Sequence, residues 1–119
     1  MTNILPLPVK KNKYGERVAD ISTTKYYRQI AEEVLEAHTN AANRNTVELL
    51  RKIGAFNSSE DFVAEMVEAE KTAEAEELVD VITTCITRLK IIGYDENKRQ
   101  IMYETVNEKN RKRGYFEDD

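Results

Sequence analysis

The chain has one cysteine, one histidine, two prolines, four glycines and no tryptophan in 119 residues. Cys85 has no partner for an internal disulfide, and one Cys with one His falls short of the four ligands that a structural zinc site normally takes. Any metal should therefore be a hard ion held by oxygen. So little Gly and Pro argues against a turn-rich sheet protein or a disordered chain and favours helices. No apolar run is long enough to span a bilayer and no segment resembles a signal peptide, which leads us to expect a cytoplasmic protein without membrane contact. A broad basic surface is also missing. The net charge is -4, and the densest basic clusters stand toward the two ends, so a general nucleic-acid binder is not expected.

What the chain does contain is charge and apolar side chains in helical spacing: 34% of residues are charged and 40% hydrophobic. The length suits one domain, residues 22–119, preceded by an N-terminal arm over residues 1–21 with Pro6, Pro8, Lys10, Lys11, Lys13 and Gly15. Ser22, Thr23 and Thr24 offer N-caps for a first helix to about Ala42, with Tyr27, Ile30, Ala31, Val34, His38 and Ala41 as its apolar face. A short second helix is expected over 45–53, ending at Gly54, and Asn57-Ser58-Ser59 reads as a loop. The third helix should run to about Ile92 on a stripe of Leu78, Ile82, Cys85, Leu89 and Ile92, stopped by Gly93. A fourth covers about Glu96 to Arg111. The pattern predicts an all-α four-helix bundle. The third helix looks apolar on too many sides for a small monomer, so a second copy is expected to complete the bundle.

Two acidic clusters stand out, Glu32-Glu33-Val34-Leu35-Glu36 and Glu76-Glu77-Leu78-Val79-Asp80. Glu33 with Glu36, and Glu77 with Asp80, are three residues apart, so each pair projects from one side of a helix. Acid runs on helices are ordinarily solvated faces, and Glu77, Asp80, Thr84 and Arg88 do share a polar stripe roughly opposite Ile82. The apolar neighbours of Asp80, Leu78-Val79 and Val81-Ile82, favour a more specific role. If the two helices pack with their acids facing, charges about 4 Å apart repel by roughly 4 kcal/mol at an effective dielectric near 20. A cation or raised pKa values must offset that. Magnesium suits such an oxygen set, with manganese as a substitute, and a metal-bound or carboxylate-activated water would then be available to attack phosphorus.

A cationic end follows, Lys109-Asn110-Arg111-Lys112-Arg113-Gly114. Cations in a last helical turn interact favourably with the macrodipole, but Lys109, Asn110 and Arg113 also share one side of the helix end. Two cations and an amide there can grip phosphate oxygens and read a sugar or base edge.

Both acid clusters and this ending resemble the all-α nucleoside triphosphate pyrophosphohydrolases, the MazG-like superfamily that includes dimeric dUTPases and phosphoribosyl-ATP pyrophosphohydrolases. The likeness covers roughly residues 24–116. The family's EExxE motif is similar to Glu32 through Glu36, its EELxDV form to Glu76 through Val81, and its KNxxRGxF ending to Lys109-Asn110 through Phe116. The resemblance implies that Glu33, Glu36, Glu77 and Asp80 hold magnesium and form the catalytic set, with Lys109, Asn110 and Arg113 binding substrate. It also implies hydrolysis of a nucleoside triphosphate to monophosphate and pyrophosphate by a homodimer or higher homo-oligomer. In one respect the chain departs from the family: the stretch from Ala37 to Glu76 between the acid motifs is longer than usual. His38 reads as a packed or capping histidine and Cys85 as a small core residue, and the N-terminal arm as extended or loosely packed, its Lys10-Lys11-Lys13-Tyr14 stretch read as a mobile solubilising terminus in preference to one that closes over a bound phosphate. The competing reading is a non-catalytic helical interaction module with solvated acidic faces.

Overall fold

The computed structural model describes residues 5–55 and 60–116. Among them the chain is all-helical: a 3-10 turn at Val18–Asp20 precedes α1 (Thr23–Lys52), α2 (Glu60–Ile91) and α3 (Glu96–Lys112). Extended structure is limited to an isolated bridge between Lys11 and Arg17. The expected loop at Asn57-Ser58-Ser59 lies outside the described residues.

Ser22 caps α1, its side chain accepting the Lys25 amide, and Asp95 caps α3 by accepting the Lys98 amide. The glycines expected as stops do stop the helices. After α2, Gly93 takes a φ of 105° that an L side chain rarely adopts, its N–H donates to the Lys90 carbonyl, and the Tyr94 N–H donates to that of Leu89. This pair of bonds satisfies carbonyls the helix would leave open, and the same pattern closes α1 at Gly54 and α3 at Gly114.

The separate helix expected over 45–53 does not exist. It is the last third of α1, so three helices stand where four were expected. Nothing between Ala42 and Asn45 is a glycine or proline, the Thr46 hydroxyl bonds back to the Ala42 carbonyl, and Arg44 pairs with Glu74 on α2. A helix tied to its neighbour at that point has no reason to break.

Helices α1 and α2 form an antiparallel hairpin and make the only extensive helix–helix packing among the described residues. Its seam runs through Tyr26, Ile30, Glu33, Ala37, Asn40 and Arg44 of α1, against Val63, Glu77, Val81, Thr84 and Thr87 of α2. Tyr26, Val63 and Thr87 are the most deeply buried side chains, and the Tyr26 hydroxyl donates to the Thr84 carbonyl at 2.8 Å. These faces are not the ones the apolar pattern indicates. On α1 the seam is turned by about one residue, leaving Tyr27, Val34 and His38 exposed. On α2 the stripe of Leu78, Ile82 and Cys85 is exposed, as is Ile92 in the turn that follows, while the polar row Glu77, Thr84 and Arg88 faces inward. Burial of Tyr26 and the matched polar groups opposite it set this rotation.

Little else covers the hairpin. The radius of gyration is 18.8 Å, against about 13.5 Å for a compact chain of this length. The accessible area is 9180 Å² for 13.8 kDa, where a compact monomer would show about 6,600 Å². No helix among the described residues is long and apolar enough to cross a membrane.

Candidate functional site

The hairpin brings the two acid pairs face to face. Nearly equal lengths of helix, Ala37 to Lys52 and Glu60 to Glu76, separate each motif from the turn between the helices. In an antiparallel pair that symmetry sets Glu36 opposite Glu77 and Glu33 opposite Asp80. The long stretch between the motifs is thus accommodated as a longer hairpin, without displacing the acids.

Each carboxylate feels its neighbours. Partial burial pushes the Glu33 carboxyl above the usual range; the Thr84 hydroxyl opposes that shift and the charge on Asp80 adds to it. Thr84 Oγ1 lies 2.7 Å from Glu33 Oε2 and 2.9 Å from the Asp80 carbonyl, so its single proton can serve either. Glu77 is raised as well, by desolvation first and then by its hydrogen bond and repulsion with Glu36. Glu36 goes the other way. The Lys13 ammonium, 3.0 Å from its Oε1, and then Glu77 hold it below the ordinary carboxylate range. Glu76 lies beside a second hollow, lined by Thr72, Ala75, Glu76, Val79 and Asp80 and away from Glu36.

The N-terminal arm completes the site. Expected to be loosely packed, it instead folds onto the hairpin: Val18 is buried, the Val9 N–H donates to Thr87 Oγ1 at 3.1 Å, and Glu16 pairs with Lys25. Between arm and helices lies a cavity of about 220 Å³ whose polar lining includes Lys11, Lys13, Gln29, Glu33, Asp80 and Thr84. Lys13, Thr84 and Gln29 were not among the residues singled out by motif. Thr84 had a signal, its place on the polar stripe with Glu77 and Asp80, whereas Lys13 reaches the site only through tertiary folding.

Behind the carboxylates, the Arg88 guanidinium lies 5.3 Å from the Tyr26 ring centre and 5.5 Å from that of Tyr27. It spans the polar seam and the exposed aromatic face, holding both rings by cation–π attraction.

The cationic end stands apart. Lys109 and Asn110 occupy the last turn of α3 and Arg113 is its C-cap. Arg113 lies 5.9 Å from the Tyr115 ring. Among the described residues no ion pair joins Lys109 or Arg113 to the four carboxylates, and α3 does not pack extensively on the hairpin. The structure therefore unites the two acid motifs within one chain and leaves the third motif outside.

His38, expected to be packed or capping, and Cys85, expected in the core, are both exposed in the single chain. Desolvation first, and then the charge on Glu33, push the Cys85 thiol up, away from nucleophilic character.

Among the described residues no three acidic, histidine or cysteine side chains converge as a ready-made metal cage. The arrangement is two carboxylate pairs with one ammonium among them. Its chemistry is that of a carboxylate-rich cleft with the Thr84 hydroxyl and the Asn12 and Gln29 amides beside it. No family model, curated protein or solved structure matches this chain.

Proposed function

We propose that the chain is a magnesium-dependent nucleoside triphosphate pyrophosphohydrolase of the MazG-like kind, acting as a homodimer or higher homo-oligomer. The observation that carries this reading is the facing of Glu33 and Glu36 on α1 with Glu77 and Asp80 on α2, through a seam that is otherwise packed. Desolvation first, and then the charges on Asp80 and Glu36, raise the pKa of Glu33 and Glu77, and a hard divalent ion would relieve the part due to repulsion. Glu33, Glu36, Glu77 and Asp80 would hold it, with manganese as a substitute. Bound there, the ion supplies positive charge to the triphosphate oxygens.

The chain's own groups would do the rest. A carboxylate oxygen of the set left free by the ion would accept the proton of an attacking water, and the Thr84 hydroxyl holds the Glu33 carboxyl in place beside it. The water oxygen bonds to phosphorus, the bridging P–O bond breaks, and the electron pair leaves with pyrophosphate. Lys109, Asn110 and Arg113 would contact the substrate's phosphates and sugar or base. Because they stand outside the cleft of their own chain, a second copy is the natural source of a tail for each site. The exposed apolar rows on α1 and α2 are what such a copy would cover.

The direct test is hydrolysis of a panel of canonical and modified nucleoside triphosphates with magnesium, resolving monophosphate plus pyrophosphate from diphosphate plus phosphate. Monophosphate and pyrophosphate from one substrate support the reading. No turnover by the folded, magnesium-loaded protein across the panel would move the weight to the interaction-module reading.

Stability should respond to magnesium in a pH-dependent way. Glu33 and Glu77 have raised pKa values in the folded state, so the stability they contribute is present when they are protonated and is lost as pH rises through those values. Glu36 is lowered, so its contribution is present above the ordinary carboxylate pKa and lost in acid. A divalent ion needs the ionised forms and offsets the repulsion that appears with them. Thermal melts should show a magnesium-induced rise that is larger near pH 8 than near pH 5, approaching about 2.7 kcal/mol at a hundredfold excess over Kd. Equal shifts at both pH values would speak against these carboxylates as the site of binding.

A further inference from the structure

The arm delivers one ammonium to the carboxylate cleft, and it does so from a turn that is built independently of that contact. Asn12 Oδ1 accepts from the Tyr14 amide at 3.0 Å and the Glu16 amide at 2.9 Å, folding the turn on itself. Its Nδ2 reaches Gln29 Oε1 on α1 at 3.3 Å, and the Val18 amide donates to the Lys10 carbonyl at 3.1 Å. With Val9 on Thr87, Glu16 on Lys25 and Val18 buried, the turn is anchored on both sides of Lys13.

The ion pair it presents is a weak reason for so much anchoring. Lys13 and Glu36 have side chains 50% and 44% exposed, and a pair so open to solvent contributes little to stability. Its location says more. Lys13 is the cation hydrogen-bonded to one of the four carboxylates, it lines the same cavity as Glu33 and Asp80, and beyond these, among the described residues, it meets only the Tyr14 ring, at 5.4 Å, so its flexible four-carbon stem lets the ammonium swing. A divalent ion ligated by Glu36 must approach its oxygen to about 2.1 Å, and an ammonium at hydrogen-bond distance from that oxygen opposes it.

We propose that Lys13 competes with the divalent ion for Glu36 and, once displaced, becomes a substrate-binding residue that grips the polyphosphate over the carboxylate cleft. This rests on the pyrophosphohydrolase reading above. It assigns to the arm a phosphate contact within the same chain, where the α3 tail supplies none. The device also couples the two ligands. Magnesium alone has to expel an ammonium from Glu36, whereas magnesium arriving with a polyphosphate offers that ammonium a new anion, so the pair should bind with positive cooperativity.

The test uses the full chain and two probes, magnesium chloride alone and inorganic tripolyphosphate in saturating magnesium, read by calorimetry and thermal shift. Lys13→Gln should bind magnesium alone about tenfold more tightly than the unaltered protein and tripolyphosphate about tenfold more weakly. Lys13→Arg should restore most of the tripolyphosphate affinity. Lys71→Gln, an exposed α2 substitution that lowers net charge equally, should change neither. Unchanged or weaker magnesium binding by Lys13→Gln overturns the competition, and unchanged tripolyphosphate affinity overturns the substrate contact, in either case with the metal site intact. If neither the unaltered protein nor Lys13→Gln binds magnesium, the pyrophosphohydrolase reading fails and takes this inference with it.

Discussion

Asp80→Asn should fold with unchanged helical content, lose activity by a factor of about 10² to 10⁴, and melt slightly higher than the unaltered protein when magnesium is absent. The opposite signs follow from where Asp80 sits. It is exposed, so the substitution removes no packing, and its charge pushes both Glu33 and Glu77 upward. Taking that charge away relieves repulsion by about a few tenths of a kcal/mol, the small value appropriate to an exposed group. The same change removes one proposed oxygen ligand, so the rise in melting temperature with magnesium should shrink in parallel with kcat. Steady-state kinetics and thermal melts on one preparation check both halves. A destabilised, inactive Asp80→Asn would assign the residue a structural role, and a fully active one would remove Asp80 from the catalytic set.

The second large effect is on assembly. If the chain assembles as proposed, Ile82→Arg should convert it to monomers at micromolar concentration, weakening self-association by about 2 to 4 kcal/mol, or roughly 30-fold to 1,000-fold in dissociation constant. Leu78 and Ile82 on α2 are 48% and 46% exposed and share one apolar side of that helix, and Ile92, in the turn just after it, is 53% exposed. In a monomer, arginine at so open a position would change stability by no more than about 0.5 kcal/mol. The chain's accessible area of 9180 Å² exceeds that of a compact monomer by about 2,500 Å², so much of the hairpin's surface is left uncovered within the chain. Sedimentation equilibrium over a concentration series distinguishes the cases. A monomeric unaltered protein would remove the homodimer from the proposal, whereas a dimer indifferent to Ile82→Arg would place the interface on another face. If the tail of one copy serves the cleft of the other, Ile82→Arg should also lose activity although Ile82 touches no carboxylate.

The sequence contained more of the site's layout than motif spacing alone reveals. Glu36 and Glu77 lie almost equally far from the break after Gly54, as do Glu33 and Asp80, so an antiparallel hairpin about that break must set them opposite one another. The helical class, the capping by Ser22 and Asp95, and the stops at Gly54, Gly93 and Gly114 were equally local, because each depends on a few adjacent residues and the hydrogen bonds they complete.

Where local reasoning went astray, a distant contact prevailed. The helix expected to end near Ala42 continues because Arg44 is paired with Glu74, far along the chain. The apolar stripes of α1 and α2 pointed to the wrong seam. Hydrophobic spacing marks faces that must eventually be covered, but it does not say whether this chain or another copy covers them. Which face pairs within the chain was decided by the fit of Tyr26 against Thr84 and by polar partners across the seam.

By itself, then, the sequence determined three all-α properties: helical periodicity, helix ends, and two acid pairs at spacings that share a face. Tertiary structure alone decided that the seam between those pairs is polar, that most of the main apolar stripe is left exposed, and that Lys13 of the arm reaches Glu36. The physical reason is range. Caps and periodicity act over three or four residues, whereas the rotation of one helix against another and the landing point of an arm depend on side chains dozens of positions apart.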